Sequence, residues 1–214
     1  MQEYDFVVVG AGSAGCVLAN RLTESGKFTV LLLEAGGSDL NFWIWLPIGY
    51  GKTFYKRSVN WMYHTEPVPE LAGRISYWPR GKVLGGSSSI NAMVYVRGQA
   101  RDFDGWRDMG NPGWGWDDVL PYFRKSETND RGGDAYRGDS GPLHVATMDR
   151  DLHPLCKSFI DAGKELQLPC SPDFNGATQE GVGTYQNTVK GGMRMSTARA
   201  YLRPAMKRPN LRVK

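Results

Sequence analysis

The segment that most constrains the fold of this 214-residue chain is the glycine-rich run at 10–15, which has the sequence GAGSAG. It follows an apolar run at 5–9 that is typical of a strand buried on both faces. After it, apolar residues recur at helical spacing as far as Gly26, and a second apolar run occupies 29–33. Two buried strands joined by one helix make a right-handed βαβ unit, so the sequence predicts an α/β fold around a parallel sheet.

The glycine run has the spacing GxGxxG, which predicts a dinucleotide-binding turn. Gly10 permits the tight turn, Gly12 lets the backbone approach a pyrophosphate, and Gly15 lets helix and strand pack closely. The free amides of the helix N-terminus would face the phosphates. Glu34 stands 24 residues after Gly10, and a carboxylate there would accept hydrogen bonds from ribose hydroxyls and repel a 2′-phosphate. The pattern favours FAD or NAD over NADP, with a purely structural glycine turn as the alternative.

Composition and charge argue against nucleic-acid binding, a disulfide framework, a zinc site and a membrane span. Glycine accounts for 27 residues, and many are clustered, as in loops that approach a ligand closely. The net charge of +4 comes from scattered basic residues without a nucleic-acid motif, so we expect no nucleic-acid partner. Cys16, Cys156 and Cys170 lack the spacing of a disulfide framework or a zinc site, and we expect Cys16 to be a buried packing residue. Without a signal-peptide pattern or an apolar stretch of membrane-spanning length, the sequence predicts a cytoplasmic protein.

The remaining pattern is less regular. Residues 36–80 are rich in glycine and aromatic residues with weak periodicity, and we expect irregular segments packed over a core. The polar, turn-forming stretch at 128–141 predicts a domain boundary. Further elements are predicted as helices at 116–127 and 152–166 and strands at 181–190 and 211–213.

A second glycine cluster, at 80–91, reads RGKVLGGSSSIN. Two adjacent glycines followed by three hydroxyl residues can bring the backbone against a ligand and begin a helix whose free amides face it. Asn91 adds a side chain that can donate and accept hydrogen bonds beside that surface. A capped surface helix is the alternative interpretation, since serine is favoured at helix caps.

Within this cluster, the segment 81–91, continued by Tyr95, Gly98 and Asp104, resembles the first signature of the glucose-methanol-choline (GMC) oxidoreductases. Segments that resemble the choline-dehydrogenase-like bacterial branch of that family are 173–176, 179–181 and 194–204. The resemblance extends over essentially the whole chain. It implies an α/β, Rossmann-like FAD-binding domain, a parallel sheet with flanking helices, together with part of an α+β substrate domain.

The resemblance also implies a domain division and a shortened chain. The FAD-binding domain is expected at 1–140 with irregular excursions, the partial substrate domain at 141–191, and a return to the FAD-binding domain at 192–214 that ends within a strand. Members of the family run to well over twice this length. We therefore expect a truncated chain that folds poorly and has no turnover by itself.

FAD in an extended pose is the cofactor that the resemblance implies. The implied cofactor contacts are Gly10, Gly12, Ser13, Ala14, Gly15, Glu34, Ala35, Val83, Gly86, Asn91, Ala92, Met93, Val94 and Val213. The pyrophosphate would lie at the glycine run and the adenosine ribose at Glu34. Some relatives attach FAD covalently through a histidine that aligns with Ile90, and because isoleucine is no nucleophile, the resemblance implies non-covalent FAD.

The implied activity is that of an alcohol:acceptor oxidoreductase, in which hydride passes from a primary alcohol to flavin N5. In the family a histidine near the C-terminus takes the hydroxyl proton. His64, His144 and His153 match neither that position nor a metal site, so we expect structural or surface roles for them, and no catalytic residue or metal in this chain. Two alternatives stay open: a non-redox flavoprotein of the same fold (a lyase or a photodecarboxylase), and an FAD-binding fragment without catalysis. The alcohol, the electron acceptor and the oligomeric state are not indicated.

Overall fold

The computed structural model describes residues 3–149 and 152–214. The strands, in chain order, are β1 (Phe6–Val9), β2 (Val30–Leu33), β3 (Tyr63–His64), β4 (Tyr77–Trp78), β5 (Val94–Tyr95), β6 (Glu127–Asn129), β7 (Leu143–Val145), β8 (Gln186–Asn187), β9 (Val189–Lys190), β10 (Met193–Arg194) and β11 (Leu211–Val213). The α-helices are α1 (Ser13–Thr23), α2 (Phe42–Trp45), α3 (Tyr50–Thr53), α4 (Ala100–Asp108), α5 (Trp116–Ser126), α6 (Pro154–Glu165) and α7 (Arg203–Ala205). Shorter helical turns are the 3₁₀ turns Pro47–Gly49, Pro69–Leu71 and Gly86–Ser89, and the π-helical turn Ala198–Leu202.

The chain forms two compact units, and these differ from the predicted division. The first unit comprises Met1–Met93 and Gly191–Lys214, and the second comprises Val94–Lys190. The boundary expected at 128–141 lies inside the second unit, because this polar stretch folds back on β6: the amide of Asn129 donates to the carbonyl of Gly138 (2.8 Å). Which unit binds cofactor and which binds substrate stays a prediction.

The first unit is built on a three-stranded parallel sheet in the order β1–β2–β11. In the central strand, Val30 is paired with Phe6 on one side and with Leu211 on the other. Val30 and Leu32 have no solvent exposure. The two predicted N-terminal strands and the predicted terminal strand are therefore present, and the α/β class with a parallel sheet and helices is confirmed.

Helix α1 packs its small residues against this sheet. Cys16 and Ala19 are fully buried, and the side chain of Asn20 donates to the carbonyl of Tyr201 (2.8 Å), which ties α1 to the π-helical turn. The helix ends at Thr23, with Glu24 as its C-cap, and Gly26 takes the left-handed conformation (φ +73°) in the turn that follows. The helix thus begins directly at the glycine run and is fixed along its length.

The prediction that β1 is buried on both faces is wrong for the chain as described. Val7 is 55% exposed and Val9 is 83% exposed. β1 is an edge strand of the sheet, and Val8 is the residue that points towards α1, at the point of contact with Gly15. Because successive side chains of a strand point to opposite faces, Val7 and Val9 lie on the face away from α1.

The second unit combines helices with short strand pairs. β5 and β8 pair antiparallel, whereas β6 and β7 pair in parallel. The predicted helices at 116–127 and 152–166 correspond to α5 and α6, but the predicted strand at 181–190 is reduced to β8 and β9. At its centre lies a buried ion cluster, which we define as Arg97, Glu127, Arg137 and Asp173.

The buried ion cluster is organised around Glu127, which has no solvent exposure. Its carboxylate accepts hydrogen bonds from the guanidinium groups of Arg97 and Arg137 and from the side-chain amide of Asn129. Arg137 also pairs with Asp173 (3.0 Å). Buried charges are tolerated when they are paired and hydrogen-bonded in this way, so the cluster fixes β6 within the second unit.

Candidate functional site

The cavity of interest in the first unit has a volume of about 880 Å³ and lies at the carboxyl ends of the parallel strands. Its lining residues are Val9, Gly10, Gly12, Ser13, Leu33, Glu34, Ala35, Trp61, Tyr63, Arg80, Gly81, Gly86, Ser87 and Lys214. This volume falls within the range of roughly 300–1,000 Å³ that is usual for cofactor and ligand pockets. In open α/β sheets, ligands bind at this end of the strands.

The floor of the cavity is the glycine run. Gly10 is held in a left-handed conformation (φ +95°), and its amide donates to the carbonyl of Leu33 (2.7 Å). A side chain at Gly15 would lie 1.9 Å from the carbonyl oxygen of Gly10, so only glycine permits this approach of helix and turn. At Gly12, by contrast, an added Cβ would meet no atom within 4 Å, which leaves its backbone open.

Helix α1 points its N-terminus at this opening. Gly12 is the N-cap residue and supplies no capping side chain, and the first turn contains no acidic residue. The first amides of a helix have no partner within the helix, and they carry the positive end of its dipole. An anionic group in the cavity would therefore meet both free donors and a favourable field.

The second glycine cluster packs directly against the first. Gly86 (φ +55°) approaches Gly12 so closely that a Cβ on Gly86 would lie 2.7 Å from the Cα of Gly12. The amide of Gly85 donates to the carbonyl of Ala11 (2.7 Å), and a Cβ at Gly81 would lie 2.2 Å from the backbone of Gly86. The expected helix in this cluster is a single 3₁₀ turn, Gly86–Ser89. The two motifs, separated by about 70 residues in the chain, form one continuous backbone surface.

Glu34 lies at the end of β2, where its carboxylate organises the backbone. One oxygen accepts from the amide of Ala11 (2.7 Å) and the other accepts from the amide of Gly36 (2.8 Å). A carboxylate has about four acceptor positions, so each oxygen keeps one for a further donor. The role of Glu34 as a ribose acceptor stays a prediction, and what the structure shows is that Glu34 braces the glycine turn.

Aromatic and basic side chains form another wall of the cavity. Trp61 and Tyr63 are stacked, with ring centroids 5.9 Å apart and planes inclined by 6°. The ammonium group of Lys82, which is not itself a lining residue, lies 4.5 Å from the ring centroid of Trp61. Arg80 and Lys214 also line the cavity. This wall offers flat ring surface and positive charge to a ligand with an aromatic part and an anionic part.

Of the residues implied by the resemblance, six line the cavity: Gly10, Gly12, Ser13, Glu34, Ala35 and Gly86. The residues that the structure places outside the lining are Ala14, Gly15, Val83, Asn91, Ala92, Met93, Val94 and Val213. Trp61, Tyr63 and Arg80 line it without having been predicted, because they come from the irregular segment at 36–80 and carry no motif. Their aromatic and basic character was the signal available.

Several residues outside the lining have clear structural places. Val83 and Ile90 belong to one hydrophobic cluster with Ile44 and Val59, and each is almost fully buried. Val213 pairs with Leu32 in the sheet. Burial raises the pKa of the Cys16 thiol to about 11, and this thiol donates to the carbonyl of Ala11 (3.2 Å). Cys16 is therefore a packing residue of the fold.

The three histidines lie apart from the cavity lining. His64 is in β3 and contacts the ring of Tyr77, while the Nδ1 atom of His144 lies 3.0 Å from the carbonyl of Val189. His153 caps α6 by accepting from the amide of Leu155 (3.2 Å). Over residues 3–149 and 152–214, no group of three or more His, Cys, Asp or Glu side chains is arranged to hold a metal ion. No helix in the described part of the chain is long and apolar enough to cross a membrane.

Comparison with known proteins gives consistent matches along the chain. The family model described as GMC oxidoreductase matches residues 4–214. The chain is 51% identical to an oxygen-dependent choline dehydrogenase of Vibrio vulnificus, covering 99% of this chain and 38% of that protein. It is 50% identical to the mitochondrial choline dehydrogenase of Mus musculus, covering 98% of this chain and 36% of that protein.

Solved structures also match this chain over almost its whole length. The crystal structure of pyridoxine 4-oxidase from Mesorbium loti superposes with a TM-score of 0.94 at 38% identity, covering 99% of this chain and 42% of that one. A formate oxidase variant from Aspergillus oryzae, studied for its FAD modification, has a TM-score of 0.86 at 29% identity, covering 99% of this chain and 38% of that one. The chain thus spans well under half the length of the proteins that it matches, in their N-terminal part.

Proposed function

Because the chain belongs to the GMC oxidoreductase family, whose members are FAD-binding flavoproteins, we propose that the first-unit cavity holds the adenosine diphosphate part of a non-covalently bound FAD. The observation that carries this proposal is the contact between the two glycine motifs, in which Gly86 lies against Gly12 with no room for a side chain. A side chain at Gly86 would force the two backbones apart, whereas the backbone of Gly12 stays open beside the cavity.

The residues present fit such a group. The open backbone of Gly12 and the N-terminal amides of α1 supply donors for the diphosphate oxygens. Arg80 and Lys214 supply positive charge at the cavity, and Glu34 keeps an acceptor position on each oxygen for the ribose hydroxyls. The buried, uncharged Ile90 supports non-covalent attachment, since it offers no nucleophile.

For the whole protein we propose oxidation of a small primary alcohol. Flavin supplies a hydride acceptor at N5 when it is bound. The part assigned to this chain is binding: the glycine motifs hold the diphosphate, and the segment at 91–93 adjoins the flavin end. We assign no proton-accepting side chain to the described residues, because none of the three histidines lines the cavity.

A fluorescence titration of the 214-residue chain with FAD tests the binding proposal. We expect saturable binding that weakens in a Glu34→Gln variant, whose amide replaces one acceptor by a donor. A variant with the same change at an exposed site, Glu3→Gln, serves as the control and is expected to bind as the unmodified chain does. A folded chain that leaves flavin fluorescence and anisotropy unchanged would contradict the proposal.

A chimaera tests the activity proposal. This chain replaces the matching N-terminal part of the Vibrio vulnificus relative, and the purified product is assayed for flavin content and for alcohol-dependent reduction of a dye, with choline as the first substrate. We expect bound flavin and alcohol-dependent dye reduction. A chimaera that holds flavin but reduces no dye with any of a panel of primary alcohols would count against alcohol oxidation, while leaving FAD binding intact.

We also propose a reducing, cytoplasmic location. Cys16, Cys156 and Cys170 are all free thiols, and the last two are exposed. Exposed, unpaired cysteines are usual in reducing compartments. Cell fractionation with an antibody against the chain tests this location, and recovery in an oxidising compartment would contradict it.

A further inference from the structure

Arg194 is a buried cation without a carboxylate partner among the described residues. It is 1% exposed, and no ion pair to it is formed within residues 3–149 and 152–214. Its Nη2 atom is buried and has no hydrogen-bond partner in the same part of the chain. Burial lowers the pKa of this guanidinium to about 10. Burying an unpaired charge is unfavourable, so we expect the burial of Arg194 to serve a function that offsets this cost.

The bonds that Arg194 does make join separate segments of the first unit. Its Nε donates to the carbonyl of Ile44 in α2 (2.8 Å), and its Nη1 donates to the carbonyl of Ser88 (3.2 Å). Nη1 also donates to the side-chain oxygen of Asn91 (2.8 Å). Arg194 therefore links α2 to Ser88 and Asn91 of the second glycine cluster.

The contact with Asn91 determines which way its carboxamide points. Its Oδ1 accepts from Arg194 and also from the amide of Met93 (3.0 Å). In the opposite orientation the NH₂ group would face two donors, which cannot form hydrogen bonds with it. Asn91 itself is exposed, and its Nδ2 makes no hydrogen bond to any residue in the described ranges. The two free N–H groups of the amide are thus directed away from Arg194.

The backbone beside Asn91 is held in an uncommon conformation. Met93 is buried and has a φ of +63°, in the left-handed region that residues other than glycine rarely adopt. Such conformations persist where the surroundings fix them, and they occur often at ligand sites. Here the amide of Met93 is held by the same Asn91 oxygen that Arg194 holds.

We propose that Arg194 is a positioning residue for the cofactor: it fixes the Asn91 carboxamide so that Nδ2 presents its hydrogens to the flavin end of FAD. This inference rests on the proposed function. A cation is suited to the task because it can only donate, so it leaves Asn91 a single orientation. A carboxylate beside Arg194 would compete for the guanidinium, and the described structure has none.

The substitution Asn91→Asp tests this role, because it should change stability and affinity in opposite directions. The new carboxylate pairs with the buried guanidinium, so we expect a higher midpoint temperature in thermal unfolding, by about 2–4 °C. The substitution also removes the only donor of the side chain, so we expect the dissociation constant for FAD to rise at least tenfold. The flavin absorption band should shift as well, since its hydrogen bonding changes.

Controls separate this role from a merely structural one. Asn41→Asp makes the same change at an exposed helix cap, where aspartate also caps well, and should alter neither quantity. Arg194→Met should weaken FAD binding, and in that background Asn91→Ala should have less than a third of its effect on the dissociation constant, because the amide is no longer held.

The possible results distinguish failure of the proposed function from failure of this inference. An unmodified chain that unfolds cooperatively on heating, and is therefore folded, but binds no FAD contradicts the proposed function and this inference together. An unmodified chain that binds FAD, with an Asn91→Asp variant that binds equally well or is less stable, overturns the inference alone. Additive effects of Arg194→Met and Asn91→Ala on affinity would overturn it too, since they would show that the two residues act independently.

Discussion

The substitution Gly86→Ala tests the convergence of the two glycine motifs. Gly86 has a φ of +55°, and a Cβ there would lie 2.7 Å from the Cα of Gly12. That distance is shorter than Cβ contacts in real structures. The opposing atom belongs to the backbone, so it cannot rotate away as a flexible side chain would. The glycine run and the second cluster must therefore separate.

The expected loss of free energy in the Gly86→Ala variant has two parts. The left-handed conformation costs an L-residue about 1–2 kcal/mol. Overpacking against fixed atoms costs about 1–3 kcal/mol more. The overpacking displaces Gly12, whose backbone is proposed to contact the diphosphate. If this 1–3 kcal/mol is lost from the free energy of FAD binding, the dissociation constant for FAD rises roughly 5- to 150-fold, at 1.4 kcal/mol for each factor of ten.

Gly73→Ala is the matched control, because Gly73 has a φ of +70° and an added Cβ would meet nothing within 4 Å. The Gly73→Ala variant therefore has the free-energy cost of the left-handed conformation without any overpacking. Denaturant unfolding of both variants should give a lower free energy of unfolding, with the larger loss in Gly86→Ala. FAD titration should show weaker binding only for Gly86→Ala. Equal affinities for the two variants would refute the reasoning, because the contact would then have no part in the site.

Two further predictions concern buried groups. Burial raises the pKa of Cys16 from 9.0 to about 11, so between these values the unfolded thiol ionises while the folded one stays protonated. In urea unfolding, the free energy of unfolding should therefore fall by up to about 3 kcal/mol between pH 9 and pH 11. The Cys16→Ala variant should lack this pH-dependent loss, and a variant with an unchanged pH dependence would contradict the prediction. Glu127→Gln should destabilise the chain by about 3–5 kcal/mol, because it leaves the buried guanidinium of Arg97 without a counterion and leaves Arg137 with Asp173 alone; a loss under 1 kcal/mol would refute that role.

The parts of the fold that were predictable from the sequence depend on local signals. The strands at 6–9 and 30–33 and the helix between them follow from hydrophobic spacing, from Gly10 directly after the first strand and from Gly26 in the turn after the helix. Gly10 and Gly15 are needed for backbone geometry within the turn itself, so their spacing is diagnostic. The terminal strand Leu211–Val213 was predicted for the same reason.

The parts that were not predictable depend on contacts between distant residues. Nothing in the local sequence indicates that Trp61 and Tyr63 stack at the cavity, or that Arg194 reaches Asn91 across about 100 residues. The apolar run of β1 looks the same whether or not its outer face is covered, which is why the burial of Val7 and Val9 was overestimated. Arg137, which pairs with Glu127, likewise lies within the polar stretch that was predicted to be a domain boundary.

Competition between ligands tests the central claim most directly. FAD bound to the 214-residue chain is titrated with ADP and, separately, with FMN, and the displaced flavin is followed by fluorescence anisotropy. If the glycine motifs and Glu34 hold the adenosine diphosphate half, ADP displaces FAD at a lower concentration than FMN does, and Glu34→Gln weakens the binding of both FAD and ADP. Displacement by FMN but not by ADP, or ADP binding that is insensitive to Glu34→Gln, would contradict the account.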